Sequence, residues 1–336
     1  MTAADLSARD TLMRMTNGFQ VSQAIHVAAT LGIADLLRDG PKSVDELAGA
    51  SGTHAAALYR LLRALASVGV FVEADGRFGL TPLGEYLRTD IPGSVGPWAM
   101  LIGRPYVWTS WGDLLSSVRS GTPAFPRVHG TNAWHYRKVH PEENIIFNAA
   151  MTALSAGVAE AVVSSYTFSR ITVLADVGGG EGALLAAILA ATPSLRGILF
   201  DQPHVVATAN AFLERAGVAD RGEIVSGSFF DAVPQADGYL LKSIVHDWDD
   251  AGALDILKVV RAAITDTGRV LLVERLIRAG NDPDPAKFAD LTMLVQLGGR
   301  ERTADEFGSL YDQAGFSLTN VIPTPSPFSI IEGAPA

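Results

Sequence analysis

Asp176-Val177-Gly178-Gly179-Gly180-Glu181-Gly182 ends the apolar run of residues 171–177 and opens a helix-forming stretch at 181–192. A strand that turns through glycines into a helix is the start of a nucleotide-binding βαβ unit, because a turn without Cβ atoms lets a ligand approach the backbone closely. Beyond it the chain keeps alternating, with strands predicted at 197–200, 223–225, 239–241 and 270–273 and helices at 204–216, 249–264, 287–297 and 304–314. That alternation predicts a parallel sheet wound on both faces. The last two strands, 317–322 and 328–332, are joined by residues 323–327 alone. A return this short cannot be a crossover, so one of the pair must run antiparallel.

Asp201 closes the second strand, about 20 residues beyond the glycine turn, where a carboxylate can accept hydrogen bonds from both ribose hydroxyls of a nucleoside. Together the turn and Asp201 specify a nucleoside-containing cofactor. The run Gly178-x-Gly180-x-x-Ala183 also satisfies the dinucleotide fingerprint, so the loop alone does not exclude NAD. Against NAD stand the acidic residue two positions before the first glycine and the close-coupled strand pair at the end of the sheet. The segment Leu241-Lys242-Ser243-Ile244-Val245-His246-Asp247-Trp248-Asp249-Asp250 leaves the fourth strand at its carboxyl end, the edge of an open α/β sheet where ligands bind. His246 is therefore placed to meet a ligand, and an imidazole of pKa ~6.5 can accept a proton near neutral pH. Asp249 reads as the N-cap of the next helix.

The front half differs. Apolar residues recur at helical spacing from Ala3 to about Leu65, and Ser43 with Glu46 forms a capping box. A helix at 54–68 ends at Gly69, and strands at 70–73 and 78–81 flank the turn Ala74-Asp75-Gly76-Arg77, so the segment reads as a winged helix. Between residues 41 and 90 it carries five basic and six acidic residues, a poor footprint for a phosphate backbone. A structural or dimer-forming role fits better than DNA binding. A mostly helical, aromatic-rich stretch, 95–166, completes the half. The sequence divides into two domains, 1–165 and 166–336.

Composition narrows the function. With 336 residues, 48% hydrophobic and 18% charged, the chain is globular, and its formal charge of −10 disfavours nucleic acid and anionic membrane as partners. Cysteine is absent, which excludes disulfides, thiolate-ligated zinc and a thiol nucleophile. No apolar run approaches the roughly 18 residues of a bilayer crossing, and residues 1–10 lack a basic n-region, so a soluble, cytoplasmic protein is expected. His129, His135 and His140 are not at the i, i+4 spacing of a helical zinc pair, and no metal is expected.

The winged-helix front, DVGGGEG, FDQPHV, LKSIVHDWDD, VERLI and GGRERT, in this order over nearly the whole chain, resemble the S-adenosylmethionine-dependent small-molecule O-methyltransferases. These are the plant caffeic-acid type and the bacterial relatives that tailor aromatic polyketides and antibiotics. The resemblance implies a class I methyltransferase Rossmann-like sheet behind an N-terminal winged-helix dimerisation domain, with S-adenosyl-L-methionine as cofactor, a small aromatic substrate and a homodimer. It implies His246 as general base, with Glu274 and Glu301 flanking the imidazole to fix its orientation and tautomer; as simple surface chemistry Glu301 would pair with Arg300 or Arg302. Gly178, Gly180, Asp201 and Lys242 would face the cofactor, with Ser228 and Phe229 against its adenine. Many relatives carry an aspartate where Ser228 stands. Phe147, Asn148, Met151, Asp247, Asp290 and Met293 would meet the acceptor. Two other outcomes remain open: a member turned to hydroxylation or decarboxylation of a polyketide, and a winged-helix regulator with a metabolite-sensing rear domain.

Overall fold

The computed structural model describes residues 7–155 and 157–336. Residues 1–6, where the first helical pattern begins, lie outside the described residues.

In the rear half the apolar runs become strands β4 (Val173–Val177), β5 (Arg196–Asp201), β6 (Gly222–Ser226), β7 (Ala236–Lys242), β8 (Ile264–Glu274), β9 (Phe316–Pro323) and β10 (Ser329–Pro335), counted after three short strands of the front half, β1 (Lys42–Ser43), β2 (Phe71–Ala74) and β3 (Arg77–Leu80). The seven form one sheet in the order β6-β5-β4-β7-β8-β10-β9. The first five are parallel. The antiparallel member of the last pair is β10, which runs against both β8 and β9. Strand order reverses between β4 and β7, so the carboxyl ends of β4, β5, β7 and β8 converge on one edge beside that switch point.

Continuous apolarity follows from coverage on both faces. Ala175, Val177, Tyr239, Leu241, Val270 and Leu272 pack on one side with the helices Asp250–Ala263 and Ala304–Ala314. Leu174, Leu240, Leu271 and Val273 pack on the other with the helices Val158–Ser165 and Ala183–Ala191. The alternation along each strand is the two-residue period of β structure.

The front half holds the wing. β1, β3 and β2 form an antiparallel sheet in that order. The Ser43–Glu46 capping box is made, with Ser43 N–H donating to Glu46 at 2.6 Å. Ile33, Leu47, Leu62, Phe71 and Phe78 fill its core. Farther along, Arg104 Nε donates to Glu143 at 2.8 Å and joins the end of the helix Gly96–Ile102 to the helix Pro141–Leu154.

The division into compact units is not a single cut near residue 165. One unit comprises the described residues up to Gly112 and from Trp134 to Ser155; the other comprises Asp113–Ala133 and everything from Gly157 onward. The reason is packing: the helices Leu114–Ser120 and Ala124–His129 lie against the helix Pro285–Gln296, and Val158–Ser165 lies against Ala183–Ala191. Residues 141–165 are, contrary to the sequence expectation, long and apolar enough together to match a membrane span. They fold as separate helices of 14 and 8 residues before and after Gly157, and neither alone reaches the ~20 residues a crossing needs.

Leu240 is fully buried at the centre of the sheet. Leu240→Ala should cost about 2–5 kcal/mol of stability, read as a lower midpoint in denaturant unfolding at unchanged slope.

Candidate active site

The glycine turn is shaped by its backbone. Gly178 has φ +71° and Gly180 +62°, conformations that favour glycine. A Cβ on Gly178 would strike Ile244 Cδ1 at 2.4 Å, whereas one on Gly180 would point into open space. Gly180 N–H donates to Asp201 Oδ2 at 3.0 Å, and Gln202 N–H donates to Asp201 Oδ1 at 2.7 Å. Asp201 is thus tied to the turn it was expected to accompany. Ser228 accepts from Phe230 N–H at 3.3 Å, and the Phe229 ring packs edge-on to Trp248.

Asp176, the first residue of the motif, is buried under the turn with Oδ2 lacking a hydrogen-bond partner among the described residues. Burial pushes its carboxyl up to about 7 against the pull of Lys242. Lys242 itself is held below the ordinary lysine range by burial, opposed by Glu274 and Asp176. Its Nζ lies 5.6 Å from the centre of the Phe328 ring.

On the other side of the switch point, β7 gives way to a short turn. Ser243 adopts φ +54°, a left-handed conformation rare outside glycine, and its N–H donates to Val273 C=O at 3.1 Å. Glu274 Oε1 then accepts Ile244 N–H at 3.1 Å and Val245 N–H at 3.0 Å. These bonds fix the backbone that carries His246. The His246 side chain is 10% exposed. Its Nδ1 is 2.9 Å from Glu301 Oε1 and 3.9 Å from Glu274 Oε2, while Nε2 is 3.4 Å from Asp247 Oδ1. Both glutamates lie beside the ring, through different contacts. Glu301 bonds the ring, and Glu274 holds the turn beneath it.

Burial opposes charge on His246, but Glu274, Asp247 and Glu301 outweigh it and push the imidazole up to about 10. Burial pushes Glu274 up to about 7 despite the histidine beside it. One oxygen of each glutamate, Oε2, has no hydrogen-bond partner among the described residues. Ligand atoms of His246, Glu274 and Glu301 lie within 4.8 Å of one another, close enough to share a metal ion as well as a proton.

Glu301 arrives from a segment 55 residues away in sequence. Gly299 makes the approach possible, since a Cβ there would sit 2.1 Å from His246 C=O. Arg300 N–H donates to that same carbonyl at 2.9 Å, and Asp290 Oδ1 accepts Glu301 N–H at 3.0 Å. Asp290 thus touches the segment that carries Glu301; Met293, one turn on, is half-buried. Arg300 and Arg302 pair with Asp250, not with Glu301. Phe147 and Met151 are half-buried and Asn148 exposed on Pro141–Leu154, in the other compact unit. Gly299, Asp250 and Arg302 went unassigned in the sequence; the two arginines bracketing Glu301 were the available signal.

Residues 111–317 match the family model of the O-methyltransferase domain, and residues 13–90 that of the O-methyltransferase dimerisation domain. The phenazine O-methyltransferase PhzM of Lysobacter antibioticus is 46% identical over 96% of this chain and 95% of its own. The 8-amino-8-demethylriboflavin N,N-dimethyltransferase of Streptomyces davaonensis is 35% identical over 97% of this chain and 95% of its own. Among solved structures, the O-methyltransferase NcsB1 from neocarzinostatin biosynthesis, in complex with S-adenosylmethionine and 2-hydroxy-5-methyl naphthoic acid, superposes with a TM-score of 0.86 at 34% identity, covering 99% of this chain and 100% of that one.

The raised Asp176 carboxyl has a consequence for stability. The unfolded chain ionises it near 3.8 and the folded protein near 7, so stability falls as pH rises between those values and is flat above them. Asp176→Asn removes that slope. In thermal unfolding of the ligand-free protein, the variant's melting temperature relative to wild type should climb from pH 4 to pH 7 and then level off; a constant difference would contradict the assignment.

Proposed function

This chain belongs to the O-methyltransferase family, with the class I methyltransferase fold and S-adenosylmethionine as cofactor, and we propose that it methylates a phenolic hydroxyl of a small aromatic natural product with His246 as general base. The observation that carries the reading is the 2.9 Å contact between His246 Nδ1 and buried Glu301 at the carboxyl edge of the sheet. With Glu301 accepting the Nδ1 proton, Nε2 is left as the ring atom that can take a proton from an acceptor.

The residues present fit the cofactor. Gly180, where a Cβ would meet only open space, would cradle it beside Gly178, and Asp201 would hold its ribose. Ser228 and Phe229 would meet the adenine, and Lys242 would lie beside it. The orphaned, buried Oδ2 of Asp176 marks further unused polar capacity under the same turn. When bound, S-adenosylmethionine supplies an electrophilic methyl group on a positively charged sulfur.

The chain's own task is to hold and move a proton. A phenol of pKa ~10 must lose its proton as its oxygen attacks, so a fixed base accelerates the reaction. An aromatic amine attacks through a lone pair it already has. A histidine held by two buried glutamates therefore supports a hydroxyl acceptor, although relatives include an N-methyltransferase. Glu301 keeps the ring in one tautomer, and Glu274 keeps the turn in place. Asp247 faces Nε2 at 3.4 Å, where an acceptor would approach. Asp290 and Met293 are proposed to meet the acceptor. No metal takes part in this reading. The dimerisation-domain match, with Leu12, Met13, Met15 and Phe19 exposed on the first helices, supports a homodimer.

His246→Asn should lower turnover of a phenolic acceptor about 10²–10⁴-fold while calorimetric binding of S-adenosylhomocysteine stays near wild type. Unchanged turnover would remove His246 from its role. Because the ring must be neutral to accept a proton and its neighbours favour the charged form, turnover should rise with pH on the acid side of the profile. A chelator should leave it unaltered; loss of activity restored by a divalent ion would point instead to a metal at His246, Glu274 and Glu301.

A further inference from the structure

Two segments far apart in sequence must meet for His246 and Glu301 to bond: the turn after β7 and the stretch that follows Gly298. The contact is not made by the two side chains alone. Arg302 is completely buried, and its guanidinium spans the junction. Nη1 donates to Val245 C=O and Arg300 C=O, each at 3.2 Å, and Nη2 donates to Trp248 C=O at 3.1 Å. Nε and Nη2 both donate to Asp250 Oδ1, at 3.0 and 2.7 Å. Asp250 is the first residue of the helix Asp250–Ala263, and its side chain is 57% exposed. Among the described residues this is Arg302's one ion pair. Backbone from both sides of His246 is thus bound to the residue directly after Glu301.

We propose that Arg302 and Asp250 form a latch that sets the His246–Glu301 distance, acting as positioning residues for the base. Neither side chain bonds the imidazole. The latch works by geometry: Glu301 has few ways to move while Arg302, one residue on, holds the Val245 and Trp248 carbonyls in a planar fork. Arg302 C=O also accepts Ile277 N–H at 3.1 Å, which ties the segment to the chain just beyond β8 and Glu274. Asp250 anchors the fork from outside and is itself shared with Arg300, whose Nη1 donates to Oδ2 at 3.2 Å. Only an arginine supplies this many donors in one plane; lysine would keep the charge and lose the fork.

The latch has a signature that general stability does not share. The groups facing the ring are Glu301 from the latched segment, Glu274 from β8 and Asp247 from its own turn. Lys242 acts on Glu274 and Asp247, and Asp290 bonds the backbone of Glu301. Loosening the latch withdraws Glu301 and leaves the others in place. An imidazole that loses a carboxylate partner gives up its proton more readily, so His246 should titrate at lower pH.

The experiment is a histidine-selective NMR titration of the full-length protein, with His246 assigned by its loss in His246→Asn, beside calorimetry with S-adenosylhomocysteine. Asp250→Asn is expected to lower the His246 midpoint by about one pH unit or more and to leave cofactor affinity within about threefold. Asp250→Glu should keep most of the wild-type midpoint, and Arg302→Lys should reproduce the lowering. A folded Asp250→Asn protein with an unmoved midpoint overturns the proposal. Should that variant fail to fold, the Arg302→Lys titration decides in the same way, and should that also unfold, Asp250→Glu must show a smaller shift of the same sign. Turnover enters separately, because the kinetic meaning of the latch rests on His246 being the base proposed above. A shifted titration with unchanged kcat would keep the latch and reject the base.

Discussion

The hydrogen bond from His246 to Glu301 is the contact on which the arrangement depends, and it sets the attraction between imidazole and carboxylate against the cost of burying both. Burying an imidazole and two glutamates removes hydration that must be replaced by partners. The two glutamates obtain only part of that replacement. Glu301 gives one oxygen to the ring, and Glu274 gives one to the amides of Ile244 and Val245. The second oxygen of each has no hydrogen-bond partner among the described residues. A cluster left incomplete in this way is typical of sites that await a ligand or a proton.

Holding such a cluster requires rigidity beneath it, and the sheet provides that. Parallel strands end at the same edge, so β4, β5, β7 and β8 deliver Asp176, Asp201, Lys242 and Glu274 without any loop having to travel. Ser243 bends the chain sharply at the end of β7 in a conformation costly for a residue with a Cβ. That strain is met by the Val273 carbonyl and by Glu274 in the neighbouring strand. The glycine turn on one side of the switch point and the histidine turn on the other touch through Ile244, which fills the space a Gly178 side chain would take.

Much of this was legible residue by residue. Ser43 with Glu46, Asp249 as an N-cap, and the antiparallel strand forced by the short final loop all appear as expected, since each depends on neighbours a few positions away. The glycine turn was legible for the same reason. Glu274 was placed beside the histidine, but its hold on the Ile244 and Val245 amides was not foreseeable, because backbone groups carry no mark in the sequence. Asp290, expected beside a substrate, accepts the Glu301 N–H. In place of the single domain boundary near residue 165, each of the two units is discontinuous in sequence, because the helices at 114–129 pack on Pro285–Gln296, a partner that local composition cannot name.

By itself the sequence determined the alternation of strands and helices, the turn that only glycines can make, the caps and the excess of acidic charge. Each is a short-range property: a two-residue or 3.6-residue period, a φ angle, a side chain reaching three positions along. The tertiary structure decided which distant groups became partners and how deeply they were buried. Arg302 could equally have been a surface cation paired with its neighbour Glu301. Packing instead places it at the junction of two segments, bound to Asp250, and leaves Glu301 for the histidine. That choice rests on Gly299 meeting the His246 carbonyl at a distance no side chain would permit. Burial and proximity of charge, which set the protonation of His246, Glu274 and Asp176, exist only once the chain has closed on itself.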